Sequence, residues 1–389
     1  MGTIRAALFL IGTTVGAGFL SGAELVRFFG GAGYLFALAA ACGMQFACGV
    51  LFLSLGKKYG GCNGAMRALF GRSGKAIYIL LLAVTFFPCA GMLAGLDALI
   101  PNYAPFPSII GLAVVVFFLC RGLRGVGALN TALVPFLIVL VLLTGIGKVA
   151  APLQMPALSE GGNAVLYAGM NTAFAAPVFM DTGREVRAPV RACALASACI
   201  FLCGACILGG IFAMGDAALV SPMPYLVVIQ GRRVFAVAVG CSVLTSLSSA
   251  LYPLFKACER LGAQKNAARG VVLLAAFILS RVGLARVIDL FYPIAGAIGI
   301  VFSVVCVLDE YLFQQYHKGV HARRKQTENK GRAHDKIQLK HLTAVDDEVS
   351  KARPRDNVLA HDGPDPRHSH IDFEHGDDGG IGGRDDKFP

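Results

Sequence analysis

The sequence predicts an all-α polytopic membrane protein: about ten transmembrane helices in a five-plus-five inverted repeat, helices one and six broken at the midplane, and a disordered tail after them. Three observations carry this. The 389 residues are 56% hydrophobic and 15% charged, and the apolar stretches reach the roughly 20 residues that cross a bilayer core. Lysine and arginine alternate from loop to loop as a topology requires. The first and sixth stretches are each interrupted by glycine and polar residues.

The apolar stretches run 4–29, 32–56, 75–100, 107–121, 126–148, 163–183, 188–214, 234–258, 267–282 and 285–313. Fifteen basic residues, from Arg5 through Lys57, Arg121, Arg184 and Lys256 to Arg269, fall on the side of the N-terminus. Six fall opposite: Arg27, Lys148, Arg232, Arg233, Arg281 and Arg286. Positive charge marks the cytoplasm, so both termini are expected there. The formal charge of +11 therefore reflects topology, and no nucleic-acid partner is expected; the partners are the lipid bilayer and a small molecule. No small-residue cleavage pattern follows the first stretch, so no signal peptide is expected. Residues 1–316 read as the membrane domain, with repeats at about 4–148 and 163–313, and residues 317–389 as a hydrophilic cytoplasmic tail. All eight histidines lie in that tail, and its cluster His361, Asp362, His368, His370, His375 has no metal-site spacing.

The first stretch contains Gly12-Thr-Thr-Val-Gly-Ala-Gly-Phe-Leu-Ser-Gly22, four glycines and three hydroxyl residues near the middle of a span. Each interior glycine costs a helix about 1 kcal/mol relative to alanine. Unwound backbone at membrane depth persists only where protein or a cavity surrounds it. The sixth stretch has Gly169, Asn171 and Thr172 at its centre and Pro177 beyond. Interruptions at corresponding positions of two halves point to a binding site between them. In the first span, the carbonyls of Gly12 to Val15 suit a cation, and the amides of Phe19 to Gly22 suit a carboxylate. In the eighth span, Thr245, Ser248 and Ser249 share one helical face and would add hydroxyl oxygens. Hydroxyls on a span also bond back to their own helix.

Glu24 lies about one turn into the outer half of the first span, where an ionisable residue is a functional candidate. It reads as a gate, a proton carrier or an amine contact, against an ion pair with Arg27 three residues on. Asp97 reads as reaching interfacial water. Asp181, Arg184 and Glu185 read as a solvated helix end or a gate. Gly91 and Gly95 read as close helix packing, Phe19, Phe87 and Phe174 as pocket walls, and Tyr292-Pro293 as a kink. The spans hold no histidine cluster, nucleophile elbow or nucleotide loop, so no enzyme is expected.

The run Gly12-Thr-Thr-Val-Gly-Ala-Gly-Phe-Leu-Ser-Gly-Ala-Glu24 resembles the first segment of the YkvI-like family of uncharacterised bacterial membrane proteins. That family belongs to the amino acid–polyamine–organocation transporter group, and the wider resemblance is to the LeuT-like fold of sodium-coupled transporters. It covers about residues 4–313. The resemblance implies a bacterial inner-membrane protein carrying an amino acid or similar zwitterion by alternating access. It also implies Na⁺ at the carbonyls of Gly12 and Val15 with Thr245, Ser248 and Ser249. The solute would lie at Gly16, Ala17, Gly18, Phe19, Ser21 and Gly22, with Gly169, Asn171 and Thr172 opposite. Glu24 would gate the site or couple protons. A lysine in the fifth span, which replaces Na⁺ in some proton-driven relatives, is absent before Lys148. The rival class is a membrane sensor on the same fold, signalling through the tail.

Overall fold

The computed structural model describes residues 1–148, 157–229 and 231–310, and the single positions 336, 340 and 344. The chain divides into two units, Met1–His317 and Lys318–Pro389. Apart from those three positions the expected tail, 317–389, lies outside the described residues.

The first unit is helical throughout its described length. The first span is three pieces: α1 (Thr3–Thr14), α2 (Ala17–Ser21) and α3 (Ala23–Phe29). The second is α4 (Tyr34–Tyr59), followed by the short α5 (Cys62–Phe70). Then come α6 (Gly74–Leu99), α7 (Phe106–Leu119) and α8 (Gly122–Gly145). The second half holds α9 (Leu158–Thr182) and α10 (Pro189–Met214), with the short α11 (Asp216–Leu219) and α12 (Pro224–Ile229). It ends with α13 (Arg232–Cys258), α14 (Lys265–Ser280) and α15 (Leu284–Glu310). These segments follow the ten predicted spans closely. The long apolar helices make this a multi-pass membrane protein.

Two groups of helices pack within themselves. One is α1, α4, α9 and α10; the other is α6, α7, α8, α13 and α14. They meet where α1 lies on α8 and α13, where α10 lies on α8, and where α9 lies on α6 and α13. Every ion pair among the described residues joins groups that the alternation of spans puts on one side. Arg27–Asp289 and Arg281–Asp97 lie at one end, and Lys58–Glu310, Lys256–Asp181 and Arg269–Glu259 at the other.

The first break is present and sharp. Val15 (φ −81°, ψ 89°) and Gly16 (φ −102°, ψ −170°) leave helical geometry after Thr14. A second bend follows at Gly22, whose φ of 80° is left-handed and open chiefly to glycine. Close packing holds the fragment in place: a Cβ on Gly95 of α6 would lie 2.8 Å from the Ala17 Cβ.

The second expected break is not there. α9 is one continuous helix through Gly169, Asn171, Thr172 and Pro177. Two of its polar side chains bond back within the helix: Asn171 Nδ2 donates to Tyr167 O at 3.1 Å, and Thr172 Oγ1 to Gly169 O at 2.8 Å. Gly169 is a contact point. A Cβ there would lie 2.4 Å from Gly296 O of α15, and a Cβ on Gly299 would lie 1.8 Å from Gly169 O. The glycine serves backbone approach between two helices rather than unwinding one of them.

Candidate binding site at the first-helix break

The end of α1 leaves carbonyls without helical donors. Two of them, Gly12 O and Val15 O, turn toward α13 and accept from Ser246 Oγ at 2.9 and 2.7 Å. A serine hydroxyl carries one hydrogen. It cannot serve both carbonyls at once, so three buried oxygens gather with too few protons between them. Neutral oxygens at such spacing suit a small hard cation.

The expected hydroxyls take a different course. Thr245 Oγ1 lies 2.8 Å from Ser242 O and 3.2 Å from Cys241 O, so its one hydrogen stays within its own helix. Ser248 and Ser249 both donate to Thr245 O, at 2.8 and 3.1 Å. All three are buried. The hydroxyl that reaches α1 is Ser246, the neighbour that sequence reasoning passed over. Ser242, Ser246 and Ser249 repeat at helical spacing as regularly as the stripe chosen from the sequence. Only the packing of α13 decides which stripe faces α1.

The start of α2 lies on the other side of the break. Gly16 offers no side-chain cap, and the first-turn amides of a helix have no helical acceptor. Gly16, Ala17 and Gly18 line a small cavity with Thr13, Thr14, Glu24 and Asn171. Pro88, Gly91 and Met92 of α6, Phe174 of α9, Ala250 of α13 and Tyr292 of α15 complete it. The cavity measures about 20 Å³, room for roughly one water. A larger solute therefore requires the two helix groups to part.

Glu24 is the charged residue of this lining and is only 6% exposed. It does not pair with Arg27, which reaches Asp289 at 3.1 Å. Its carboxyl instead lies over the start of α2: a Cβ on Gly18 would stand 2.6 Å from Glu24 Oε1. The Tyr292 ring lines the same cavity beside this carboxyl. Tyr292 is thus part of the site, and α15 continues through Tyr292-Pro293 as helix. Phe174 packs edge-on against the Tyr292 ring, centroids 5.3 Å apart.

Other expected site residues are buried elsewhere. Phe19 packs toward Gly204, and Ser21 Oγ donates to Gly18 O at 3.1 Å. Gly22 faces Ile211 and Tyr225, and Phe87 stacks on Phe291 at 4.3 Å. Thr172 lines a neighbouring small cavity with Thr14, Gln45 and Asn171.

Two outlying acids are more deeply placed than their positions near span ends implied. Asp97 accepts from Ser108 N at 3.0 Å and pairs with Arg281, tying α6, α7 and the end of α14. The Asp181 side chain is 4% exposed; it accepts from Cys62 N at 2.9 Å and pairs with Lys256 at 3.0 Å. It clasps α5, α9 and α13 at the end of the molecule that holds Met1.

The chain is 23% identical over 321 residues to the uncharacterized membrane protein YkvI of Bacillus subtilis (strain 168), covering 76% of this chain and 92% of that protein. Among solved structures it is similar to MhsT in complex with L-phenylalanine: TM-score 0.59, 17% identity, 78% of this chain and 88% of that one. It is also similar to Mhp1, a nucleobase-cation-symport-1 family transporter in a closed conformation with bromovinylhydantoin bound. There the TM-score is 0.55, with 16% identity and 75% of each chain. No family model matches the chain. These likenesses give it the LeuT-like fold.

Proposed function

We propose that the protein is a secondary active transporter, an ion-coupled symporter of an amino acid or related zwitterion, working by alternating access. One observation carries this reading. At the break in the first helix, two carbonyls released from the helix converge on Ser246 Oγ, while Glu24, Tyr292 and the opening residues of α2 line the adjoining cavity. A zwitterion presents an ammonium and a carboxylate together. Glu24 is the group for the first, and the α2 amides are the group for the second. Na⁺ is the driving ion in this reading, held by Gly12 O, Val15 O and Ser246 Oγ.

The bound molecules of the two similar structures, L-phenylalanine in MhsT and bromovinylhydantoin in Mhp1, support a small organic solute. The division into two helix groups supports rocking of one against the other around the break. The distribution of basic residues supports a bacterial inner-membrane protein with both termini in the cytoplasm.

Thermal unfolding of the purified full chain against a panel of amino acids tests the solute class. A subset should raise the unfolding temperature in proportion to the logarithm of concentration. Stabilisation by none of them, in either Na⁺ or choline, would overturn the zwitterion reading.

A further inference from the structure

Asn130 sits in α8 and is fully buried. Its Nδ2 donates to Val126 O at 2.8 Å, which fixes which side-chain atom is the oxygen. Oδ1 has no hydrogen-bond partner. An unmet acceptor at membrane depth carries a penalty that some ligand or conformation must relieve.

The free oxygen is aimed at α1. A Cβ built on Gly12 would lie 1.7 Å from Oδ1 and 2.8 Å from Val134 Cγ2. Residue 12 must therefore be glycine for this oxygen to fit. Gly12 is also the residue whose carbonyl accepts from Ser246. Helices α1, α8 and α13 thus bring four neutral oxygens to one neighbourhood: Gly12 O, Val15 O, Ser246 Oγ and Asn130 Oδ1.

The chemistry of the set narrows its ligand. The atom that faces α1 is the amide oxygen, whose lone pairs reject an anion. The oxygens are hard and uncharged. Among the described residues, no cluster of His, Cys, Asp or Glu could hold a metal ion. A divalent ion would find no balancing charge, whereas a monovalent alkali cation needs none.

We propose that Asn130 Oδ1 is a further oxygen ligand of a monovalent cation held beside Gly12, Val15 and Ser246, contributed by α8 and linking α8 to α1 when the cation binds. This rests on the ion-coupled reading above.

The test is a NaCl titration of thermal unfolding on the full chain, with choline chloride holding ionic strength constant. Wild type should be stabilised by Na⁺ with a measurable midpoint. Asn130→Leu should raise that midpoint about tenfold or more, while its unfolding temperature in choline stays level or rises because the orphaned acceptor is gone. Asn130→Asp, which keeps an oxygen there, should restore the wild-type midpoint or lower it. If the leucine variant does not fold, Asn130→Ala gives the same readout. A variant midpoint equal to that of wild type would overturn the role of Asn130 and leave ion coupling standing. A wild type indifferent to Na⁺ would remove the ion site itself, and this proposal with it.

Discussion

Replacing Glu24 with glutamine is expected to reduce solute uptake by at least about 30-fold at subsaturating concentrations, the factor that ~2 kcal/mol represents. The substitution keeps the shape of the side chain. What it removes is the carboxyl that can ionise against a bound ammonium. Charged contacts that are buried and hydrogen-bonded on binding typically lose about 2–5 kcal/mol when one partner is neutralised. Stability should move the other way. Glu24 is buried, and among the described residues no ion pair includes it. A neutral amide there buries no charge in the solute-free protein, so the unfolding temperature without solute should hold or rise. Concentration-dependent uptake and thermal unfolding check the two halves separately. Wild-type uptake in Glu24→Gln would exclude the carboxylate from solute binding.

The largest structural effect is expected at Gly299. A Cβ there meets backbone, Gly169 O at 1.8 Å and its carbon at 2.6 Å, and no rotamer change can relieve such a clash. Gly299→Val should force α15 off α9 at a cost of about 3 kcal/mol, the upper end for overpacking. A large fall in unfolding temperature, or loss of folded protein in size-exclusion chromatography, would register it. Gly240 on α13 is the internal control, because a Cβ there meets nothing within 4 Å. Gly240→Ala should be neutral or gain about 1 kcal/mol of helix propensity. Equal tolerance at the two sites would show that the α9–α15 contact is looser than these distances state.

These two residues also show how much could be read from the chain. Span positions follow from apolar length and loop charge, and the described helices track them to within a few residues. The break in the first span was legible because Gly12, Gly16, Gly18 and Gly22 crowd one stretch with three hydroxyl residues among them. Gly169 with Asn171 and Thr172 gave a similar signal for another reason. A glycine that admits a neighbouring backbone and a glycine that frees its own look alike in sequence; the partner, Gly299, lies 130 residues away. Ser246 was hidden by phase, since two hydroxyl stripes overlap on α13. Tyr292 read only as part of a kink with Pro293, and Asn130, beside Thr131, belonged to no pattern of its own. Their meaning arises only where α15 meets Glu24 and where α8 meets Gly12.

The most direct measurement is uptake of a labelled stabilising amino acid into proteoliposomes holding the full chain, with and without an inward Na⁺ gradient. Accumulation above the external concentration is expected, collapsing when the gradient is dissipated. Binding without accumulation, under either a Na⁺ or a proton gradient, would contradict transport and leave a solute-sensing receptor on this fold.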